Sequence, residues 1–216
     1  MVDLADNALT TLAIVKEDLG ISVGTYDDQL KRLINAASQY VENTCNRVFY
    51  RDTTIEEIKQ GYGWTFMQVN RPPINSITSI KYNDEEISSD GYAVVDAQMG
   101  IIEKTGGYIW TAHHVTDISR TMMPGSERYL YTVEYDGGWY TPKQEDDNGA
   151  NTRALPWDLE NAAVDYVRGL YRMKGQNPNV SSESLMSWNT SYTGGDSSVI
   201  KAVKDTLAKY ILLGSC

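Results

Sequence analysis

The strongest constraint in this sequence is a hydrophobic period that changes from helical to strand-like and back to helical. Between Asp27 and Asn46 apolar residues recur at the spacing of one helix face: Leu30, Leu33, Ile34, Ala37, Val41 and Cys45. From Arg47 to about Tyr140, short Val-, Ile- and Tyr-rich runs alternate with turn formers, as strands do. Helical spacing returns after Pro156. The pattern predicts an α+β fold, in which a bundle of about four helices, two N-terminal and two C-terminal, carries an inserted small antiparallel β subdomain.

This change of period divides the chain into three segments. Residues 1–46 are expected to form the N-terminal helices of the bundle, and residues 47–150 the inserted β-rich subdomain. Residues 151–216 are expected to complete the bundle with the C-terminal helices. Within that last segment, residues 176–198 are rich in Ser, Asn, Gly and Thr and predict a long loop. A final helix is expected over about 198–213. Its apolar residues recur at helical spacing on one face (Ile200, Val203, Leu207, Tyr210 and Ile211), and its opposite side carries Lys201, Lys204, Asp205 and Lys209.

Residue types at the segment ends predict where the first helices begin and end. Thr10 or Thr11 suits the N-cap of a short helix that Gly20 ends. The second helix is expected to start at Asp27 or Asp28, because a carboxylate there meets the positive end of the helix dipole. In the β-rich segment, YLYTVEY (129–135) is the clearest strand, and the acidic run Asp84-Glu85-Glu86 reads as a solvated hairpin tip.

Charge and hydropathy exclude several partners. The chain has 216 residues and a formal net charge of −10, which disfavours non-specific DNA binding because that requires Lys and Arg against the phosphates. The longest aliphatic or aromatic runs, such as YILL (210–213), have four residues and are far short of the roughly 20 residues that span a bilayer. We therefore expect a soluble intracellular protein without membrane contact. Residues 151–216 carry 7 basic and 6 acidic groups and are much less acidic than the rest.

No motif in the sequence predicts catalysis, a metal site or a cofactor. His113 and His114 are adjacent, so on a strand they would point to opposite faces and could not share one metal. The glycine-containing turns lack the Lys-Ser/Thr of a phosphate-binding loop, and no nucleophile-elbow sequence occurs. Cys45 and Cys216 do not make a disulfide framework, and Cys45 reads as a buried free thiol. We expect no enzyme, no metal and no cofactor.

Three stretches, taken in order, resemble the head–tail connector (head-completion adaptor) proteins of tailed bacteriophages. The first is residues 8–49, a short helix ending in LGI, a pair of Asp residues and a long helix closing in a C-N-R-x-F-like turn. The second is residues 69–104, with R-P-P followed by S-I-T-S-I and a Gly-marked strand. The third is YTVEYDGGWYTP (131–142) followed by LPWDLENAAVDYVRGLYR (155–172). VSSESLMSWNTSYTG (180–194) and the basic helix after it resemble the tail of longer members.

The resemblance implies a structural protein of the virion neck, present in the host cytoplasm during assembly. Members of this family form a ring beneath the portal, extend the DNA channel and offer a platform to the next neck or tail-completion protein. The implied partners are therefore the portal protein, that next protein, and further copies of this chain in a homo-oligomeric ring of about twelve. DNA would pass through the channel without specific binding.

Family analogy and charge asymmetry together assign a docking surface to the last third of the chain. The hypothesis is that the final helix and the 176–198 segment contact the portal or a neighbouring copy, and that removal of the residues after Ser198 abolishes portal binding while leaving a folded core. The candidate interface residues are Trp188, Tyr192, Lys201, Lys204, Lys209 and Tyr210.

Aromatic usage leaves a second class of function open. The chain has 15 Tyr and 5 Trp but only 2 Phe, and rings with a polar handle suit interfaces and sugar-stacking platforms. The alternative is therefore a virion-associated or surface binding module that takes a carbohydrate or receptor on Tyr and Trp surfaces. An enzyme with a site assembled from scattered carboxylates is a third class, and it would require carboxylates with perturbed pKa values in a pocket.

Overall fold

The computed structural model describes residues 2–111, 130–145, 154–173, 182–185, 188–191 and 195–212. Its residues divide into two compact units. The helical unit combines Met1–Tyr50 with Trp139–Gly214, and the β unit is formed by Arg51–Gly138. The chain therefore leaves the helical unit once and returns to it, as an inserted β subdomain requires.

The first two helices have the ends that the sequence predicts. Helix α1 spans Leu12–Leu19; the Thr11 side chain accepts a 3.4 Å hydrogen bond from the Ile14 amide, and Gly20 ends the helix in the left-handed region at φ 66°. Helix α2 spans Asp27–Cys45 and ends at Asn46, which is also left-handed at φ 52°. Glycine and asparagine enter this region at the lowest cost, so both residues stop their helices.

The turn after α2 holds a buried arginine between two aromatic rings. Arg47 is only 8% exposed. Its guanidinium carbon lies 5.0 Å from the centre of the Phe49 ring and 4.8 Å from that of Trp139. The Trp139 amide donates a 2.8 Å hydrogen bond to the Phe49 carbonyl. Cation–π contact between aromatic faces explains why an arginine stands at this position of the C-N-R-x-F turn.

Two C-terminal helices complete the helical unit. Helix α3 spans Trp157–Met173, helix α4 spans Gly195–Leu207, and a 3₁₀ turn follows over Ala208–Tyr210. Helix α3 packs against α1, α2 and α4. One core of this unit is lined by Leu9, Val41, Cys45, Phe49, Trp139, Leu155, Leu159, Ala162, Ala163, Val203 and Leu207. A second core, around Val15, Leu30, Ile34 and Val167, joins α1, α2 and α3.

Among its described residues, the β unit contains two antiparallel sheets. Their strands are β1 Asp52–Gln60, β2 Phe66–Gln68, β3 Ile74–Tyr82, β4 Glu85–Glu86, β5 Tyr92–Asp96, β6 Ile101–Lys104 and β7 Leu130–Gly137. One sheet has the order β1-β7-β3-β4 and the other β2-β6-β5. Alternate residues of β7, Tyr131, Val133 and Tyr135, are buried in the core of the unit, as the period of two predicts. The α+β class is confirmed.

The segment 176–198, predicted as one long loop, contains regular backbone. Strands β8, Ser182–Leu185, and β9, Trp188–Ser191, pair as an antiparallel hairpin, and α4 already begins at Gly195. The Ser- and Asn-rich composition favours turns. Within that composition, the alternation that marks a strand is only four residues long on each side, too short to stand out in the sequence.

None of the helices in the described ranges combines the length and the hydrophobicity of a membrane-spanning segment.

Candidate assembly interface

Helix α4 and the 3₁₀ turn that follows it carry three exposed lysines. Val203 and Leu207 are buried in the core of the helical unit, whereas Lys201 and Lys204 are exposed. An α-helix has 3.6 residues per turn, so Lys201 and Lys204, three positions apart, are neighbours on its surface, and the exposed Asp205, four positions after Lys201, lies on the same side. We call Lys201, Lys204 and Lys209 the lysine face. These three of the predicted interface residues are thus brought onto one short stretch of chain.

Lys209 and Tyr210 are tied to the start of α3 through Asp158. The Lys209 ammonium forms an ion pair with Asp158 Oδ2, and the Tyr210 hydroxyl donates a 2.7 Å hydrogen bond to Asp158 Oδ1. Burial opposes ionisation of Asp158, but the hydrogen bonds from Lys209 and Tyr210 outweigh it and lower the pKa of that carboxyl. Burial first, and then the bond to Asp158, raises the pKa of Tyr210. Asp158 is therefore a charged anchor for the end of the fold.

The Tyr210 ring also packs inside the helical unit. It meets Phe49 at 6.2 Å and Trp139 at 6.3 Å between ring centres, edge-on to both. Of the remaining predicted residues, Trp188 has its backbone in β9, and Tyr192 lies outside the described residues.

Packing of α4 changes the truncation that the sequence suggests. Val203, Leu207 and Leu212 are buried, and the Leu212 amide donates a 3.0 Å hydrogen bond to the Cys45 carbonyl. Removing the residues after Ser198 would strip these side chains from the core, so the truncated chain is expected to unfold. Charge substitutions on the lysine face are the sharper test of docking.

Exposed apolar side chains lie beside the lysine face. Trp157 is 69% exposed at the first position of α3, directly before the Asp158 that holds Lys209. Ile211, two residues after Lys209, is also exposed. Sequence reasoning did not single out Trp157, and it placed Ile211 on the core face of the final helix, which is wrong because the helix ends at Leu207 and Ile211 is exposed.

An acidic hairpin tip stands on the β unit. Asn83 and Asp84 connect β3 to β4 with positive φ values of 47° and 69°, the conformation of a type I′ turn. Asp84, Glu85 and Glu86 are all exposed, and we call these three residues the acidic turn. The sequence prediction of a solvated hairpin tip is confirmed.

A stacked aromatic cluster is exposed elsewhere on the β unit. Trp64 stacks on Phe66 with 5.3 Å between ring centres and lies 5.9 Å from Tyr62. All three rings are at least two-fifths exposed, and Trp64 is 50% exposed. We call Tyr62, Trp64 and Phe66 the aromatic cluster. Alternate residues of an extended segment share one side, which places the three rings together.

A bulge fixes the backbone that carries the aromatic cluster. The Gly63 amide donates to the Trp110 carbonyl over 2.8 Å, and the Trp110 amide donates to the Trp64 carbonyl over 2.7 Å. Two residues thus oppose one, and Gly63 takes the left-handed conformation, φ 77°, that the first position of such a bulge requires. The Trp110 ring is buried edge-on against Tyr131 at 5.1 Å and anchors this pairing.

In the ranges that the structure covers, no group of three or more His, Cys, Asp or Glu side chains is placed to hold a metal ion. The strongest electrostatic features are ion pairs that join elements of the fold. Arg51 donates from Nε and Nη2 to the two carboxylate oxygens of Asp136, at 2.8 and 2.5 Å, and Lys81 binds Glu134 at 2.5 Å.

The chain is an α+β protein of two compact units, and comparison with known proteins identifies its family. The model of the family described as "Head completion protein" matches residues 8–177. The chain belongs to this family, and its role is structural and not enzymatic. A search of curated proteins gave no match.

Solved structures with a similar fold come from gene transfer agent (GTA) particles. One is the virion of a native GTA particle, with 16% identity and a TM-score of 0.56. Two others are GTA necks, each with 14% identity: that of an empty particle computed with C6 symmetry, TM-score 0.53, and that of a native particle computed with C12 symmetry, TM-score 0.52. Each comparison covers 100% of this chain and 95% of the other, so the shared fold extends over both of its units.

Proposed function

We propose that this chain is a head–tail adaptor of the virion neck, which forms a ring beneath the portal, extends the DNA channel and carries the docking platform for the next neck protein. The observation that carries the proposal is the head completion family match over residues 8–177, from the first helix to the end of α3. The similarity of the whole chain to chains in GTA necks supports the same location. The C6 and C12 symmetries of those necks support a twelvefold ring.

Net charge suits a wall along which DNA slides. The formal charge of −10 per copy is repeated around a ring, and a negative lumen repels phosphates instead of holding them. DNA then passes through without specific binding. The exposed lysines lie toward the C-terminal end of the chain. We assign this lysine face to a contact with a protein, either the portal or a neighbouring copy, and not with DNA.

The experiment that tests this function is the native mass of the purified chain with and without its cognate portal, followed by negative-stain imaging. We expect rings, or a monomer that assembles into a ring on the portal. A monomer that ignores the portal would overturn the adaptor assignment.

The aromatic cluster favours one second candidate, a binding module for a carbohydrate. Tyr62, Trp64 and Phe66 present adjacent ring faces, and such faces stack on the apolar side of sugar rings. Glycan-array binding by the wild type, lost in Trp64→Ala and retained in a matched variant at the exposed Tyr108, Tyr108→Ala, would support this candidate. Absence of glycan binding would remove it.

A further inference from the structure

The lysine face of the helical unit and the acidic turn of the β unit are exposed surfaces of opposite charge on one chain. We propose that the acidic turn of one copy docks on the lysine face of the neighbouring copy in the ring, an inference that rests on the proposed function. It names the two patches through which copies of this chain recognise one another.

The lysine face is a local exception in an acidic chain. Exposed Lys and Arg side chains among the described residues are Arg32, Arg172, Lys201, Lys204 and Lys209. Three of them lie between positions 201 and 209, where Asp205 is the one acidic residue. Lys209 is already paired with Asp158, whereas Lys201 and Lys204 form no ion pair with another described residue. The ammonium groups of Lys201 and Lys204 can therefore bind a carboxylate of another copy.

The acidic turn is preorganised for such a contact. Its two-residue type I′ connection holds one backbone geometry, so the three carboxylates are carried on a fixed tip, where Glu85 and Glu86, consecutive in β4, point to opposite faces of the hairpin. Within the hairpin Glu86 stands opposite Lys81, but the Lys81 ammonium is bound to Glu134 at 2.5 Å. The tip thus keeps an excess of negative charge that a neighbour can neutralise.

Closed rings require such a pair of different patches. Copies that each carry a net charge of −10 repel one another, and the repulsion must be offset where they touch. In a heterologous contact, one patch of each copy meets a different patch of the next, and charge complementarity fixes which meets which. Trp157 and Ile211, exposed beside the lysine face, add apolar area that such a contact would cover.

Charge reversal on either side tests the contact. The two variants of the full chain are Lys201→Glu with Lys204→Glu, and Glu85→Lys with Glu86→Lys, and each is assembled on the cognate portal and measured by native mass. We expect each variant alone to lose about tenfold or more of its ring fraction, because like charges then face each other. The matched control is Arg32→Glu with Arg172→Glu, which also reverses two exposed cations and should assemble as the wild type does. Circular dichroism verifies that every variant is folded.

Mixing the two variants gives the decisive result. In an equimolar mixture that alternates the two variants around the ring, the reversed turn of one variant meets the reversed lysine face of the other. The unreversed acidic turn meets the unreversed lysine face, so every contact is again complementary. Recovery of rings in the mixture is the expected outcome. Normal assembly of either variant alone, or no recovery in the mixture, would overturn the inference.

Failure of this inference is distinguishable from failure of the proposed function. If the wild type assembles on the portal and the lysine variant cannot bind it even as a single copy, with no recovery on mixing, the lysine face docks on the portal. That result overturns the contact between copies and leaves the adaptor function intact. If the wild type itself does not assemble on the portal, both the function and the inference fail.

Discussion

The hydroxyl of Tyr210 donates a 2.7 Å hydrogen bond to Asp158 Oδ1, across 52 positions of sequence. This bond, with the ion pair from Lys209 to the same carboxylate, fastens the end of the C-terminal helical segment to the first turn of α3. A carboxylate in the first turn of a helix also interacts favourably with the positive end of the helix dipole. One side chain therefore stabilises two elements at once.

We expect Tyr210→Phe to lower the free energy of unfolding by about 1 kcal/mol, because the ring packing is kept and only the hydrogen bond to a charged group is lost. Urea denaturation followed by circular dichroism measures the change. The control is Tyr108→Phe, at a side chain that is 72% exposed, which should leave stability within about 0.5 kcal/mol of the wild type. If Tyr210→Phe had the same free energy of unfolding as the wild type, the hydrogen bond would contribute nothing to stability.

This anchor shows what the sequence could and could not predict. Capping residues are local signals, and the ends of α1 and α2 followed from Thr11, Gly20 and Asn46. The basic face of α4 followed from its periodicity in the same way. The bond between Tyr210 and Asp158 depends on how α4 packs against α3, which no local pattern encodes. The sequence therefore predicts Tyr210 as an interface residue, whereas its ring packs against Phe49 and Trp139 in the helical unit.

Strand β1 was missed for a related reason. Its sequence, DTTIEEIKQ, has few apolar residues, and Ile55 is the one that is buried. The strand forms because its backbone pairs with β7 from Asp52 to Gln60. Its polar side chains also find partners: Glu57 accepts two hydrogen bonds from the Asn70 amide and one from the Tyr135 hydroxyl. Such partners come from distant sequence, so the strand has no alternation of its own to reveal it.

Acid should weaken the β unit through Asp136. The hydrogen bonds from Arg51, more than those from Asn75, lower the pKa of this carboxyl against the opposing effect of burial. Because the pKa of this carboxyl is lower in the folded than in the unfolded chain, its ionised form stabilises the fold at pH values above the unfolded pKa of about 3.9. This stabilisation is lost as the pH falls through the folded pKa. Asp136→Asn should thus cost about 1 kcal/mol at neutral pH, after allowance for solvent screening.

The measurement is urea denaturation of the wild type and Asp136→Asn from neutral pH down to about pH 3. The difference in unfolding free energy should be largest near neutrality and shrink below about pH 4, where the unfolded chain also binds the proton. Asp90→Asn, at an exposed carboxyl, serves as the control and should differ little from the wild type at every pH. A difference for Asp136→Asn that stays constant with pH would contradict the assigned role.

Cys45 should be inert in the folded protein. Burial raises the pKa of this thiol to about 11, although Arg47 nearby opposes the shift. The side chain is fully buried in the core of the helical unit. Since the thiolate is the reactive species, a Cys216→Ser variant, which leaves Cys45 as the sole thiol, should react with a thiol reagent only at the rate of unfolding. Rapid modification in native buffer, compared with the same variant in urea, would show that the core opens locally.

Gly61 is required by a close approach of two backbone segments beside the aromatic cluster. A Cβ atom at this position would lie 1.8 Å from the Thr111 carbonyl oxygen and 3.0 Å from the Tyr131 ring. Backbone cannot yield as a flexible side chain can, so Gly61→Ala must push apart the pairing that holds Trp110 and Trp64. We expect a loss of at least about 2 kcal/mol in the free energy of unfolding, by thermal or urea denaturation.

Gly24→Ala is the matched control, because its Cβ would meet one side-chain atom at an ordinary 3.6 Å, and it should change stability by less than about 1 kcal/mol. Equal stability of the two variants would show that the backbones at Gly61 and Thr111 can separate at little cost. A selective loss in Gly61→Ala, with the aromatic fluorescence of the β unit altered before global unfolding, would confirm that this glycine positions the cluster.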